Sequence, residues 1–572
     1  MGIFYVITGY RRVSALLFLI LLPVFTAAQS TPSQLFRQAD SLRHLARLDT
    51  STTLFQKAAD LFDKKQNWPQ KVNALYMVSR NKTEQGQLDK AHTYLENAYS
   101  LYQNKGLSVD SLEVRYFYQK GLINEQRANY ETALHNFRQG LTLAGDAKLS
   151  KLRVKLTVGI GDTYLSQGQY QEALQQTSNA QDLYFKAKLR DKLLLARIYN
   201  SYGIAYQNSG KQKRSLQFYQ KSLDIKRQVL PPEHPSLARA HNNMAIVYYY
   251  QGDYQRTLEY FNNALGVLID FYGKNHSLVA TAYNNLGIVY SEIRELSKAA
   301  QNLEQAVRIR EKILGRDHPD IAVGYQNLGA VYSDMKEYDE AIRYYKRSES
   351  IHLKNFPKGH PDLADLYANL GQAYAAKKQY EKALNYYQKD LDINLRVLGA
   401  SHPFIGDTYT KIGQTYATIN NHEIALDYYQ KALGIFLKDY SPEAPYQQLS
   451  FDEVAYPYLL LETLKLKGRA LKAVAEKSEK LKILERSLQT HLQAVTLIDQ
   501  IQRSHSREGS KMVLRERTVD IYKTGFEVAY ELYQQGGDKQ YKKHAFFFAE
   551  KSRNQILLEQ IRRLNARDIA QI

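Results

Sequence analysis

The sequence predicts an all-α fold, a stack of antiparallel helix pairs followed by a longer C-terminal helical region. Three observations predict it. A pattern of large residue, small residue, two variable residues and tyrosine recurs at a fixed step, only 13 prolines and 30 glycines interrupt 572 residues, and 46 tyrosines accompany one tryptophan. Few breakers favour long helices over a sandwich cut up by turns. Hydrophobic residues make up 44% and charged residues 24%, the balance of a folded chain. With no cysteine, disulfides, thiolate metal sites, iron–sulfur clusters and a cysteine nucleophile are excluded within this chain. Lysine and arginine outnumber aspartate and glutamate 77 to 58, a formal charge of +19. That excess favours acidic partners or surfaces and says nothing about fold.

Residues 1–28 read as a signal peptide. Arg11 and Arg12 precede an apolar run from Val13 to Phe25, and Thr26-Ala27-Ala28 supplies small residues before a cut after Ala28. The run is shorter than the roughly 20 residues that span a bilayer, and no later segment is apolar enough to do so. Export to the periplasm or cell envelope is therefore expected, with retention of the segment as an anchor as the alternative. The charge falls to +17 once the segment leaves with its two arginines.

The repeat occupies residues 32–439. Its small residues are Gly161, Gly203, Ala245, Gly287, Gly329, Gly371 and Gly413, a constant step of 42 that holds from about residue 154 to 439. Tyr164, Tyr206, Tyr248, Tyr290, Tyr332, Tyr374 and Tyr416 follow three residues later. Twelve residues after the small residue comes a second one, Ala173, Ser215, Thr257, Ala299, Ala341, Ala383 or Ala425. A bulky residue follows four later in most copies, as in Tyr219, Phe261, Leu303, Tyr345, Tyr387 and Tyr429. This alternation lets two antiparallel helices approach where the small residue sits, with the large one filling the space beside it. One such pair cannot bury its apolar face alone, so pairs must stack. Weaker copies centre on Gly121 with Ala133 and on Ser79 with Ala91, and an irregular capping pair is expected near Pro32–Phe62. About ten pairs result.

These residues resemble the tetratricopeptide repeat, and the 42-residue step resembles its long variant in kinesin light chains. The resemblance implies a right-handed superhelical solenoid whose first helices line a concave groove. It also implies that the residue two before the small one points into that groove. Asn243, Asn285, Asn327 and Asn369 hold that position, and Asn242 and Asn284 precede two of them. An amide both donates and accepts, so a row of them suits the backbone of an extended peptide. The alternative is that the amides bridge neighbouring helices. Arg197, Asn200, Arg239, Tyr249, Gln326, Gln372 and Gln414 are expected to flank the same groove. Lysines in register are not evident there, so a basic clamp for an acidic tail is not expected.

The inter-pair loops carry His234-Pro235, His276-Ser277, His318-Pro319, His360-Pro361 and His402-Pro403. Successive pairs lie about 8–10 Å apart, too far for their histidines to share one ion with bonds of about 2 Å. The prolines start helices and end what precedes them, and the histidines read as structural.

Residues 440–453, with Tyr440-Ser441-Pro442-Glu443-Ala444-Pro445, read as a linker. From residue 454 the pattern predicts longer helices, one from about Arg469 to Arg503, a second near Val513–Tyr533 and a third from Tyr541 to Leu564. Ile498-Asp499-Gln500-Ile501-Gln502-Arg503, Glu508-Gly509-Ser510-Lys511 and Ala545-Phe546-Phe547-Phe548-Ala549-Glu550-Lys551-Ser552-Arg553 resemble the segment that joins such arrays to caspase-like CHAT peptidase domains. That resemblance implies a peptidase with a histidine–cysteine dyad downstream of residue 572, a nucleophile this chain lacks.

No phosphate loop, His-Glu-x-x-His or Gly-x-Ser-x-Gly motif is present. The tyrosines fall at packing positions, which argues against base stacking. The expectation is an exported, non-catalytic scaffold without cofactor, metal or nucleic acid, whose partner is a protein or peptide. The alternatives are the scaffold half of a CHAT-type peptidase and the extracytoplasmic sensor part of a signalling protein.

Overall fold

The computed structural model describes residues 31–145, 149–356, 360–437, 440, 451, 456–476, 480–504 and 508–553, and every regular element among them is a helix. The signal segment 1–28, most of the linker and the end of the third C-terminal helix lie outside the described residues. The chain divides into two compact units, residues 1–273 and 274–572.

Unit 1 holds six helix pairs. They are α1 Pro32–His44 with α2 Leu48–Lys64, α3 Trp68–Glu84 with α4 Leu88–Asn104, and α5 Asp110–Gln126 with α6 Tyr130–Leu143. Then come α7 Ser150–Ser166 with α8 Tyr170–Lys186, α9 Lys192–Asn208 with α10 Gln212–Val229, and α11 Pro235–Gln251 with α12 Tyr254–Tyr272. Each core is shared between neighbours: Val72 and Tyr76 of α3 pack with Ala91, Leu95 and Ala98 of α4 and with Leu112 and Tyr116 of α5. The first pair also meets the far end of the unit. His234 Nδ1 accepts from the Ser236 N–H, so its proton sits on Nε2, which donates to the His44 carbonyl at 3.0 Å. Close by in sequence, the Arg47 guanidinium lies 4.4 Å from the centroid of the Phe271 ring. A seam thus joins pair one to pair six.

Unit 2 continues with α13 Ser277–Glu292 and α14 Leu296–Leu314, α15 Pro319–Asp334 and α16 Tyr338–Asn355, α17 Pro361–Ala376 and α18 Tyr380–Leu398, and α19 Pro403–Thr418 and α20 His422–Phe436. The small-large contact is direct. A Cβ on Gly329, Gly371 or Gly413 would overlap the ring of Tyr345, Tyr387 or Tyr429 respectively. In unit 1 the same relation joins Gly121 to Phe137 and Gly203 to Tyr219, whereas a Cβ on Gly161 would stand 3.4 Å from Thr177 Oγ1, nearly in ordinary contact.

The loop histidines have a definite task. In all five, Nδ1 accepts the backbone N–H two residues on, at 3.1 to 3.3 Å. Each is the N-cap of the helix that follows, satisfying a donor the helix itself cannot.

The C-terminal region departs from the expected helix over 469–503. It contains α21 Pro457–Ala475 and α22 Lys480–Ser504, followed by α23 Glu508–Gly536 and a helix over residues 539–553. The chain reverses because Leu460, Leu461 and Leu464 must share one core with Leu484, Leu488, Val495 and Ile498, which a single straight helix cannot arrange. Gly468 permits the approach, since a Cβ there would overlap the buried His491 ring. Tyr440 and Phe451 pack on the same core, and Gln500 Nε2 donates to the Phe451 carbonyl at 2.9 Å. No helix among the described residues is long and apolar enough to cross a membrane.

Candidate functional site

In unit 1 the first helices of the pairs share one cavity of about 630 Å³, lined by α1, α3, α5, α7 and α9 and the residues at their starts. Its lining includes Tyr76, Tyr118 and Leu194, which also pack in the cores between helices.

The amide row is wired within each unit. Asn243 donates to the Asn200 carbonyl oxygen at 3.1 Å, and Asn327 donates to that of Asn284 at 3.1 Å. In each case the residue two before the small one reaches the residue three before it in the preceding pair. An amide has two N–H groups and an oxygen with two lone pairs, so one such bond leaves capacity for a ligand. Asn242, Asn285, Gln326 and Asn369 are half-buried, whereas Gln372 and Gln414 are exposed. Tyr249 packs its ring edge-on against Tyr250 and Tyr254. Arg239 is exposed. Arg197 is tied down, with Nη2 at 2.8 Å from Asp162 and Nη1 donating to Tyr118 Oη at 2.9 Å. Asp162 in turn accepts from Ser201 at 2.6 Å.

Sequence reasoning missed a cluster of cations. Basic side chains do stand in register, in the Gly121 copy and the first three regular ones: Arg115, Lys155, Arg197 and Arg239 each precede the small residue by six. Arg43 and Arg80 join the first three of these around the unit 1 cavity. The signal was legible at that offset, but only once the copy around Gly121 was aligned with the regular ones. Burial, then the like charges of Arg80 and Lys151, pull the Lys155 amine down to about 7, against the opposing influence of Asp191. In unit 2 the same offset holds Asp365 and Asp407, and burial pushes the Asp365 carboxyl up. No group of three or more metal-ligating side chains occurs among the described residues.

Stacked two-helix repeats with a polar inner face define a helical-repeat scaffold. The large-Gly-x-x-Tyr and Ala-aromatic contacts specify which kind: these are tetratricopeptide repeats, and the tetratricopeptide-repeat family pattern matches residues 152–228, 236–312, 298–354 and 362–438. No curated protein matches the chain. Among solved structures, BtubC (BKLC) from P. vanneervenii is 21% identical, with 45% of this chain and 95% of that one covered and a TM-score of 0.34. Apo RapI is 16% identical over 64% of this chain and 97% of that one, with a TM-score of 0.49. The quorum sensor NprR from B. thuringiensis is 11% identical over 64% and 98%, with a TM-score of 0.47. Each is a likeness of fold.

Proposed function

We propose that the protein is an exported, non-catalytic scaffold of the cell envelope that holds a protein or extended peptide against the inner face of its repeats. The observation that carries this reading is the run of amides at one position of the first helices, pair after pair. The Asn200–Asn243 and Asn284–Asn327 bonds are the bridging that the alternative expects, and each leaves the amides further donor and acceptor capacity. An extended backbone offers a donor and an acceptor at every residue, and such a row answers both without selecting a side chain. The C-terminal helices resemble a pre-peptidase segment, but with no cysteine in the chain any such proteolysis belongs to another segment or partner.

Peptides selected from a display library on the mature protein test the groove. Replacing Asn285 and Asn327 together with alanine is expected to weaken the selected peptides about a hundredfold, since each lost amide leaves a ligand group unpaired at about 1–3 kcal/mol. Melting should change little. A large fall in melting temperature would assign the amides to holding helices together, and unchanged binding would move the surface elsewhere. Export is checked separately: the N-terminus of fractionated protein should begin near Gln29, outside the cytoplasm.

A further inference from the structure

The cavity of unit 1 has more positive charge than its neighbours neutralise. Four of its cations have carboxylate partners. Arg43 pairs with Asp40 at 3.3 Å, Arg80 with Glu84 at 3.1 Å, Lys151 with Asp191 at 2.7 Å and Arg197 with Asp162 at 2.8 Å. Two do not. Arg115 Nη1 donates to the neutral Asn73 amide at 2.6 Å, and Lys155 makes no ion pair among the described residues. Both project from first helices of adjacent pairs, α5 and α7, into the same cavity. Both are half-buried, so water screens them poorly, and an unpaired charge in such a place is costly.

The rest of the lining is mixed. Phe36, Tyr76, Met77 and Leu152 supply apolar and aromatic surface beside the two cations. The volume of about 630 Å³ falls in the range of small-molecule sites, about 300–1,000 Å³, and a few convergent polar groups in an apolar wall are their usual chemistry. A bare oxyanion would leave most of this space to water.

We propose that this cavity is a binding site for a small organic dianion, its charged group seated between Arg115 and Lys155 and its body against Tyr76 and Phe36. The guanidinium offers a planar fork to two oxygens and the ammonium a point charge, a combination that suits a phosphate monoester or a dicarboxylate alike. The cavity shares only Arg197 with the residues expected to flank the peptide groove.

Titration calorimetry of the mature protein decides it, with phenyl phosphate, succinate and inorganic phosphate as probes and phenol as the neutral control. Phenyl phosphate or succinate should bind more tightly than inorganic phosphate, and phenol should give no heat. Which of the two organic anions binds tells phosphoryl from dicarboxylate recognition. Arg115→Gln and Lys155→Gln should each weaken the organic anion about tenfold, and together about a hundredfold. Arg115→Lys and Lys155→Arg, which keep the charge, should lose far less, separating ligand contact from folding. Arg308→Gln, an exposed arginine of unit 2, should bind as the unaltered protein does. Silence with every anion, equal affinity in the Gln variants, or an equal loss in Arg308→Gln would overturn the site.

Discussion

The two units use one repeat but place different side chains at one position of its first helices. Six residues before the small residue, unit 1 presents Arg115, Lys155, Arg197 and Arg239, and unit 2 presents Thr281, Val323, Asp365 and Asp407. The first helices of successive pairs also run together more extensively in unit 1 than in unit 2. The small-large contact recurs in both units whichever side chain stands at this position. What differs between the units is carried by side chains the repeat does not need for its own stability.

The comparison can be broken first where packing is tightest. Gly329→Leu, driven into the Tyr345 ring, is expected to cost about 3 kcal/mol, with hydrogen exchange rising in adjacent pairs before distant ones. Gly161→Ala has room beside Thr177 and should change stability by less than about 1 kcal/mol, because helix propensity gained offsets a slightly tight contact. Equal losses in urea melts would mean that the small position is uniform across units.

Titration adds two opposed slopes, one from Asp390 in unit 2 and one from Lys155 in unit 1. Asp390 of unit 2 is 2% exposed and accepts from Thr408 Oγ1 at 2.7 Å and Asn394 Nδ2 at 2.6 Å. Burial dominates and pushes its carboxyl up to about 7. The folded state therefore holds this proton when the unfolded state has released it, and unit 2 should lose stability as pH rises from about 4 to about 7, by a few kcal/mol. Lys155, pulled down to about 7, has the opposite slope. The unfolded chain keeps that proton and the folded one sheds it, so unit 1 should gain stability as pH rises from about 7 to about 10. Asp390→Asn should flatten the first trend and Lys155→Met the second, read by melting each variant across pH. If each substitution flattened the other window instead, the assignment of the two slopes would fail.

The smallest effect lies in the turns within pairs. A left-handed residue recurs there, as Ala46, Gly86, Ala128, Gly168, Gly210 and Gly252 in unit 1 and as Arg294, Lys336, Lys378 and Asn420 in unit 2. With φ at 65° for Lys336, a side chain is strained, and Lys336→Gly should stabilise by about 1 kcal/mol. Calorimetric melting that moved downward would show the lysine to be making a contact worth more than the strain.

The stack was legible because its rule is local: Gly329 and Tyr345 are 16 residues apart, and a small and a bulky residue stand at that spacing in most copies. The histidine ladder was legible as a ladder but not as caps, since nothing in His318-Pro319 shows which ring nitrogen faces the next N–H. The cationic cavity was not legible as a cavity. It depends on residues from Phe36 to Arg197 converging in space, and on counting which of their charges are already matched. The break between α21 and α22 was hidden for a similar reason, because Leu471 and Leu484 suit one long helix as well as two facing ones.

The contact between His44 and His234 bears on how the chain acquires its structure. A stack of pairs is assembled from neighbours, so its folding can start anywhere and spread without bringing distant parts of the chain together. The seam is different, since it joins groups 190 residues apart. Closing so long a loop in an unfolded chain is entropically costly and slow, whereas after the intervening pairs have formed it requires only a small adjustment of a preformed coil. The seam should therefore be the last contact of unit 1 to form and the first to open, a latch whose rate is set by the compliance of the nine helices stacked between its two sides.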